Sequence, residues 1–249
     1  SSSRRGWLGT AIEIATPACF DSAMFRDTLV RRLLAALLVA LLSLPLRAPG
    51  ETAPGVDLLL VLAVDCSYSV DDEEYRLQMQ GIARALTTRE VIGAIAGGDK
   101  GRIAITLLHW SSVDDQHVVL PWTIVADAAS AARAARVIAA APRSVSFGST
   151  SISAAIDASV VLLLASPLTA PRSTIDVAAD GFNNNGAPPE FARDRAVRLG
   201  ITINGLTILN EVFYLEHYFR NHVVGGSGHF IEIAAGYEDF AEAMRKKLL

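Results

Sequence analysis

The 249 residues are enough for one sizeable domain or two small ones, and a hydrophobic content of 51% supplies a core. The formal charge of −4 is unevenly spread: residues 1–48 hold six Arg against three acids, and the remainder carries a formal −7. Such acidity argues against nucleic-acid binding, which needs a basic face to displace counterions, and it suits cation attraction or plain solubility alike.

The chain opens on residues 1–23, which lack periodicity and precede Met24; they read as an upstream extension, with translation starting at Met24. Residues 24–48 then have the layout of a secretory signal peptide: Arg26, Arg31 and Arg32, an apolar run from Leu33 to Leu44, and a small-residue exit after Pro45. The run is short of the roughly 20 apolar residues that a membrane span needs. An uncleaved anchor is the alternative reading. The expected location is therefore periplasmic or secreted, with no stable membrane span after cleavage. No Cys follows the run, which argues against a lipidated N-terminus. Residues 49–56 read as a flexible lead-in, and residues 57–249 as the folded domain.

Leu58 to Val64 is a continuous apolar run, as expected of a strand buried on both faces. Asp71 to Thr88 follows as a helix with acids in its first turn. Arg102 to Trp110 and Gln116 to Val125 are strands, with Asp114-Asp115 as the turn between them. Asp127 to Ala140 and Ser149 to Ala165 are helices, and Thr174 to Ala179 is a strand. Pro189 to Leu199 is a helix closed by Gly200, Ile201 to Leu209 a strand, and Val212 to Asn221 a short helix. His229 to Ala234 is the last strand and Tyr237 to Leu248 the closing helix. This alternation predicts an α/β fold: a doubly wound, mostly parallel sheet with helices on both faces, which binds ligands at the C-terminal strand ends.

Three loops fall at such ends. They are Asp65-Cys66-Ser67-Tyr68-Ser69, Phe147-Gly148-Ser149-Thr150, and Asp180-Gly181-Phe182-Asn183-Asn184. Two carboxylates and three hydroxyls form a hard oxygen set suited to Mg²⁺, Mn²⁺ or Ca²⁺ rather than to a thiophilic metal. Ser67, Ser69 and Thr150 are expected to bind directly, and Asp65 and Asp180 directly or through water. With only two carboxylates opposing it, a divalent ion stays electrophilic, open to a carboxylate from a protein partner. Tyr68, Phe182 and Asn183 are placed at the partner-binding rim. For any one loop, the plainer reading is a turn or a helix cap: Asp71 or Ser69 for the first helix, Ser149 or Thr150 for the later one.

The Asp-x-Ser-x-Ser at Asp65, Ser67 and Ser69, the Gly-Ser-Thr ending at Thr150 and the Asp-Gly at Asp180 together resemble a von Willebrand factor type A domain, over about Asp57 to Leu249. In that family these positions form the metal-ion-dependent adhesion site, and the resemblance implies metal roles for all five residues. The stretch Ile175 to Gly186 also resembles a bacterial group of exported type A-like proteins of uncharacterised function. Ile152 is a departure, because many members carry a second Thr there. The implied function is adhesion-type protein binding without catalysis. The rival is a Mg²⁺-dependent phosphatase with Asp65 as nucleophile, but such enzymes place a second Asp where Ser67 stands.

The remaining signals are weaker. The His residues do not form a metal set by spacing, with His109 and His117 expected to flank a turn at the surface. Cys66 reads as a packed thiol. Gly225 to Gly228 precedes a strand rather than a helix and so lacks a P-loop context.

Overall fold

The computed structural model describes residues 54–145 and 148–249. The expected upstream extension, the signal peptide, the start of the lead-in and Phe147 lie outside the described residues.

Among the described residues the strands are β1 (Leu59–Asp65), β2 (Ile103–Trp110), β3 (Gln116–Val125), β4 (Ser173–Ala179), β5 (Thr202–Ile208) and β6 (Ile231–Ala234). They form one sheet in the order β3-β2-β1-β4-β5-β6. Every pairing is parallel except that of β3, which runs antiparallel to β2 across a hairpin. The helices are α1 (Asp72–Leu86), α2 (Arg89–Ala96), α3 (Ala128–Ala139), α4 (Ile152–Leu164), α5 (Pro189–Arg198), α6 (Leu215–His222) and α7 (Phe240–Lys247).

β1 explains the two-layer build. Successive side chains point to opposite faces of a strand. Leu60, Leu62 and Val64 enter one core with α1, α2, α3 and α7. Leu59, Val61 and Ala63 enter the other, with α4, α5 and α6. All seven residues of β1 are buried, as its unbroken apolar run demands. A fully buried aliphatic side chain stabilises by about 1.5–3 kcal/mol, so this strand anchors both layers.

Local chemistry sets the helix ends. Asp71 caps α1 in a reciprocal box: its carboxylate accepts from the Glu74 N–H, and Glu74 accepts from the Asp71 N–H. Gly200 ends α5 at φ +77° in a Schellman arrangement, where its N–H donates to Val197 O and that of Ile201 donates to Ala196 O.

Several expectations are corrected. The helix expected over Asp71 to Thr88 ends at Leu86, and the stretch before β2, where no element is expected, holds the eight-residue α2 with Thr88 as its N-cap. The domain begins before residue 57: the Val56 N–H donates to Thr169 O at 2.8 Å and the Val56 side chain is fully buried. The closing helix is a 3-10 turn at Tyr237–Asp239 followed by α7. His109 is not at the surface. β2 is covered on both faces, so His109 is fully buried while His117, across the hairpin, is exposed.

Candidate functional site

Parallel pairing aligns the C-terminal ends of β1 and β4, with Val64 beside Ala178, so Asp65 and Asp180 leave the sheet side by side. Both are 1% exposed. The chain after Asp65 turns at once, because Asp65 Oδ1 accepts from the Ser67 N–H at 2.7 Å. That turn points Ser67 and Ser69 toward the same spot, and their hydroxyl oxygens lie 3.3 Å apart.

The loop ahead of α4 brings the third hydroxyl. Gly148 O accepts from the Tyr68 N–H at 2.8 Å, which joins the two loops. A side chain at Gly148 would collide with Ser111 Oγ at 2.3 Å, so only glycine permits this approach. Thr150 Oγ1 then donates to Ser67 Oγ at 3.2 Å. Neither Ser149 nor Thr150 caps α4. Ser151 holds the N-cap position without a side-chain bond, which leaves Thr150 turned to the site.

The protons of these hydroxyls run in one direction. Thr150 donates to Ser67, Ser67 contacts Ser69, and Ser69 donates to Asp180 Oδ1 at 2.8 Å. A hydroxyl has one donor and two lone pairs, so a relay ending on a carboxylate leaves acceptor capacity at each oxygen. Tyr237 completes Asp180 by donating to Oδ2 at 3.0 Å.

Asp65 is not completed. Its Oδ2 is buried and has no hydrogen-bond partner. Burial, followed by the neighbouring Asp180 charge, pushes the Asp65 carboxyl up to about 8. Two carboxylates share a buried site, and among the described residues no basic side chain pairs with either. An orphaned acceptor beside three hydroxyls fits a hard divalent cation. Among the described residues no group of three His, Cys, Asp or Glu side chains forms a metal set, so hydroxyls would have to supply the rest of the coordination.

The expected rim divides. Tyr68 is 75% exposed, and Phe182 lines the same depression with Ser69, Thr150 and Glu211. Asn183 is tied instead to the start of α4, accepting from the Ser153 N–H, and to its own loop, donating to Asn185 O and Ala187 O. It shapes the loop, as do its neighbours, with Asn184 Oδ1 accepting from the Thr150 N–H at 2.9 Å. Cys66 is fully buried, and burial pushes its thiol up, which keeps it protonated.

Three supporting residues carried no sequence motif. Arg143 donates to both Cys66 O and Ser67 O, at 2.9 and 3.0 Å, and so holds the Asp65–Ser69 loop from below. Gln78 Nε2 donates to Asp65 O at 3.1 Å. Tyr237 reaches Asp180 from the turn before α7. Only Gln78 had a signal, because it lies on the apolar face of a predicted helix.

A family model described as a protein of unknown function, DUF1194, matches residues 55–249. No curated protein matches the chain. Among solved structures, proximal thread matrix protein 1 from the mussel byssus is similar at a TM-score of 0.58 and 13% identity, over 78% of this chain and 47% of that one. A structure of the same mussel protein has zinc in its MIDAS motif, at a TM-score of 0.54 and 14% identity, over 78% and 48%. A von Willebrand factor type A protein from Catenulispora acidiphila is similar at 0.53 and 17%, over 78% and 42%. The chain thus spans about half the length of these proteins, and at such identities the likeness establishes the fold: von Willebrand factor type A.

Proposed function

This chain belongs to the DUF1194 family, and from that premise we propose that its type A domain holds one divalent cation among Asp65, Ser67, Ser69, Thr150 and Asp180 and binds a protein partner through it. The observation that carries this reading is the unpartnered, buried Asp65 Oδ2 beside a second carboxylate. Two acids buried together with, among the described residues, no ion-pair partner on either and only the more distant Arg143 charge to offset them make a site that a cation would complete. When bound, the ion offers an electrophilic position for a carboxylate of the partner. The zinc in the MIDAS motif of the mussel protein supports a divalent ion here, while the all-oxygen donor set favours Mg²⁺, with Mn²⁺ or Ca²⁺ as substitutes.

We read the protein as an exported, periplasmic or secreted adhesion-type module rather than an enzyme. Among the described residues no helix is long and apolar enough to cross a membrane.

Thermal unfolding with and without Mg²⁺, Mn²⁺ or Ca²⁺ tests the site. The expected outcome is a rise in Tm that grows with cation concentration and disappears in Asp65→Ala. No shift with any of the three ions sinks the proposal. Capture of a partner from the exported fraction, lost on adding chelator, tests its second half.

A further inference from the structure

One loop crosses the top of the sheet between the two helix layers. It leaves β5 at Leu209, whose N–H donates to Ala234 O at 2.9 Å, and ends at Tyr214 ahead of α6. Toward α1 it is fastened by Asn210, which donates to Glu74 Oε1 at 2.8 Å. Toward α6 it is fastened by Tyr214, whose ring centre lies 5.5 Å from that of Phe182. Phe182 in turn meets Tyr218 edge-on at 4.8 Å. Between these ties Glu211 lines the depression at the metal loop.

The site therefore has two unlike flanks. On the α1 side stand Glu211, which lines the depression, and Glu74, which is close enough to feel the Asp180 and Glu211 charges, while Asp72 and Glu73 are paired with Arg143 and Arg76. On the α6 side stand aromatic rings: Phe182, Tyr214 at 61% exposure and Phe213 at 82%. Exposed rings of this size keep apolar surface in water, and such residues dominate binding energy at protein interfaces. The acids repel a polyanionic surface and attract a cationic group.

We propose that the partner's carboxylate lies in a peptide segment with an aromatic or large aliphatic residue on one side, packed on Phe182 and Tyr214, and a basic residue on the other, facing Glu211 and the start of α1. This rests on the cation reading above. Rings on one side of the Asp65–Ser69 loop and acids on the other are what select such a peptide over an anionic membrane or an acidic polysaccharide. A phosphatidylglycerol surface and a polyuronic acid both lack the basic group.

The test titrates the Mg²⁺-loaded protein with short blocked peptides that carry a Phe-Glu-Lys core in a Gly/Ser background. Replacing the peptide's Phe by Ser is expected to weaken binding about ten-fold in the wild type and under about two-fold in Phe182→Ser/Tyr214→Ser, or in Tyr214→Ser alone if the double variant does not fold. Replacing its Lys by Glu is expected to weaken binding about five-fold, and Glu211→Gln to remove most of that difference. Loss of binding on replacing Glu by Gln, with no effect of Phe→Ser, overturns this proposal and leaves the cation reading standing. Binding insensitive both to that Gln replacement and to chelator overturns the two together. No binding at about millimolar peptide, or tighter binding to an oligogalacturonate or to anionic vesicles, overturns the peptide assignment.

Discussion

Two buried carboxylates on this sheet have opposite fates. Asp176, inside β4, has Lys247 Nζ 3.4 Å away and accepts from Asn204 Nδ2 at 3.1 Å. Lys247 also donates to Gly205 O at 3.0 Å and lies 4.8 Å above the Phe230 ring. Asp65, at the end of β1, has a second acid for a neighbour and one oxygen with no partner. The first cluster is closed by the chain itself. The second is left open at Asp65 Oδ2. Burial alone therefore does not distinguish the two acids; what differs is the ion-pair partner, present at Asp176 and, among the described residues, absent at Asp65.

The largest expected effect tests the closed cluster. Lys247→Met leaves Asp176 buried and unpaired, which should cost about 3–5 kcal/mol in urea unfolding, while Asp176→Asn/Lys247→Met recovers most of that loss. The Mg²⁺-induced rise in Tm should persist in the double variant. A cost below about 1 kcal/mol for the single variant would mean that Lys247 is not what completes Asp176.

The open cluster should behave in the reverse sense. The Asp65 carboxyl is raised from 3.8 to about 8 in the folded, cation-free protein, so folding favours its neutral form. Its contribution to stability is fully present below about pH 4 and is lost as pH rises through about 8. A cation must displace that proton. Affinity for Mg²⁺ or Mn²⁺ should rise roughly ten-fold per pH unit below about pH 8 and level off above it. Titration calorimetry across that range checks it, and a flat profile contradicts the raised carboxyl. Asp65→Asn should abolish the pH dependence and lower cation affinity by on the order of 100-fold, about 2.7 kcal/mol.

How far the sequence reveals this contrast follows from its physics. β1, β4 and β5 are legible because strands buried on both faces leave apolar runs. The five oxygen-bearing residues are legible because they fall at the ends of β1 and β4, in the loop that follows β1, and just ahead of α4. α2 is not, because an eight-residue helix with only Val91 and Ile95 buried carries too little periodicity. The burial of His109 is hidden for the same reason that β2 is a strand: with both faces covered there is no alternation to read. Arg143 sits in a loop whose composition gives no hint that its guanidinium reaches two carbonyls on a different loop. Nor does the sequence separate Asp176 from Asp65, since the partner of the first arrives from α7.

Arg143→Met gives an intermediate effect. It leaves Cys66 O without its donor and removes one of the two donors on Ser67 O, the other being the Val70 N–H, so the loop that presents Ser67 and Ser69 loosens. Cation affinity should fall about ten-fold, roughly 1.4 kcal/mol, read by Mn²⁺ titration. Arg143→Lys keeps the charge but not the fork, and should recover only part of the loss. Full recovery by Lys would show that the charge, rather than the two hydrogen bonds, holds the loop.

The smallest effect asks whether the two clusters are independent. Tyr237 donates to Asp180 at one end of the final helical segment, and Lys247 meets Asp176 at the other. Tyr237→Phe removes one hydrogen bond to an acid and should cost about 1 kcal/mol in unfolding and a few-fold in cation affinity. About ten helical residues separate the two side chains, on the order of 15 Å, beyond the range where substitutions normally couple. The Tyr237→Phe/Lys247→Met double variant should therefore lose the sum of the single losses to within about 0.5 kcal/mol. A larger departure would mean that α7 transmits strain between the ends of the sheet, and that cation binding at Asp65 is felt by the pair that holds the last helix in place.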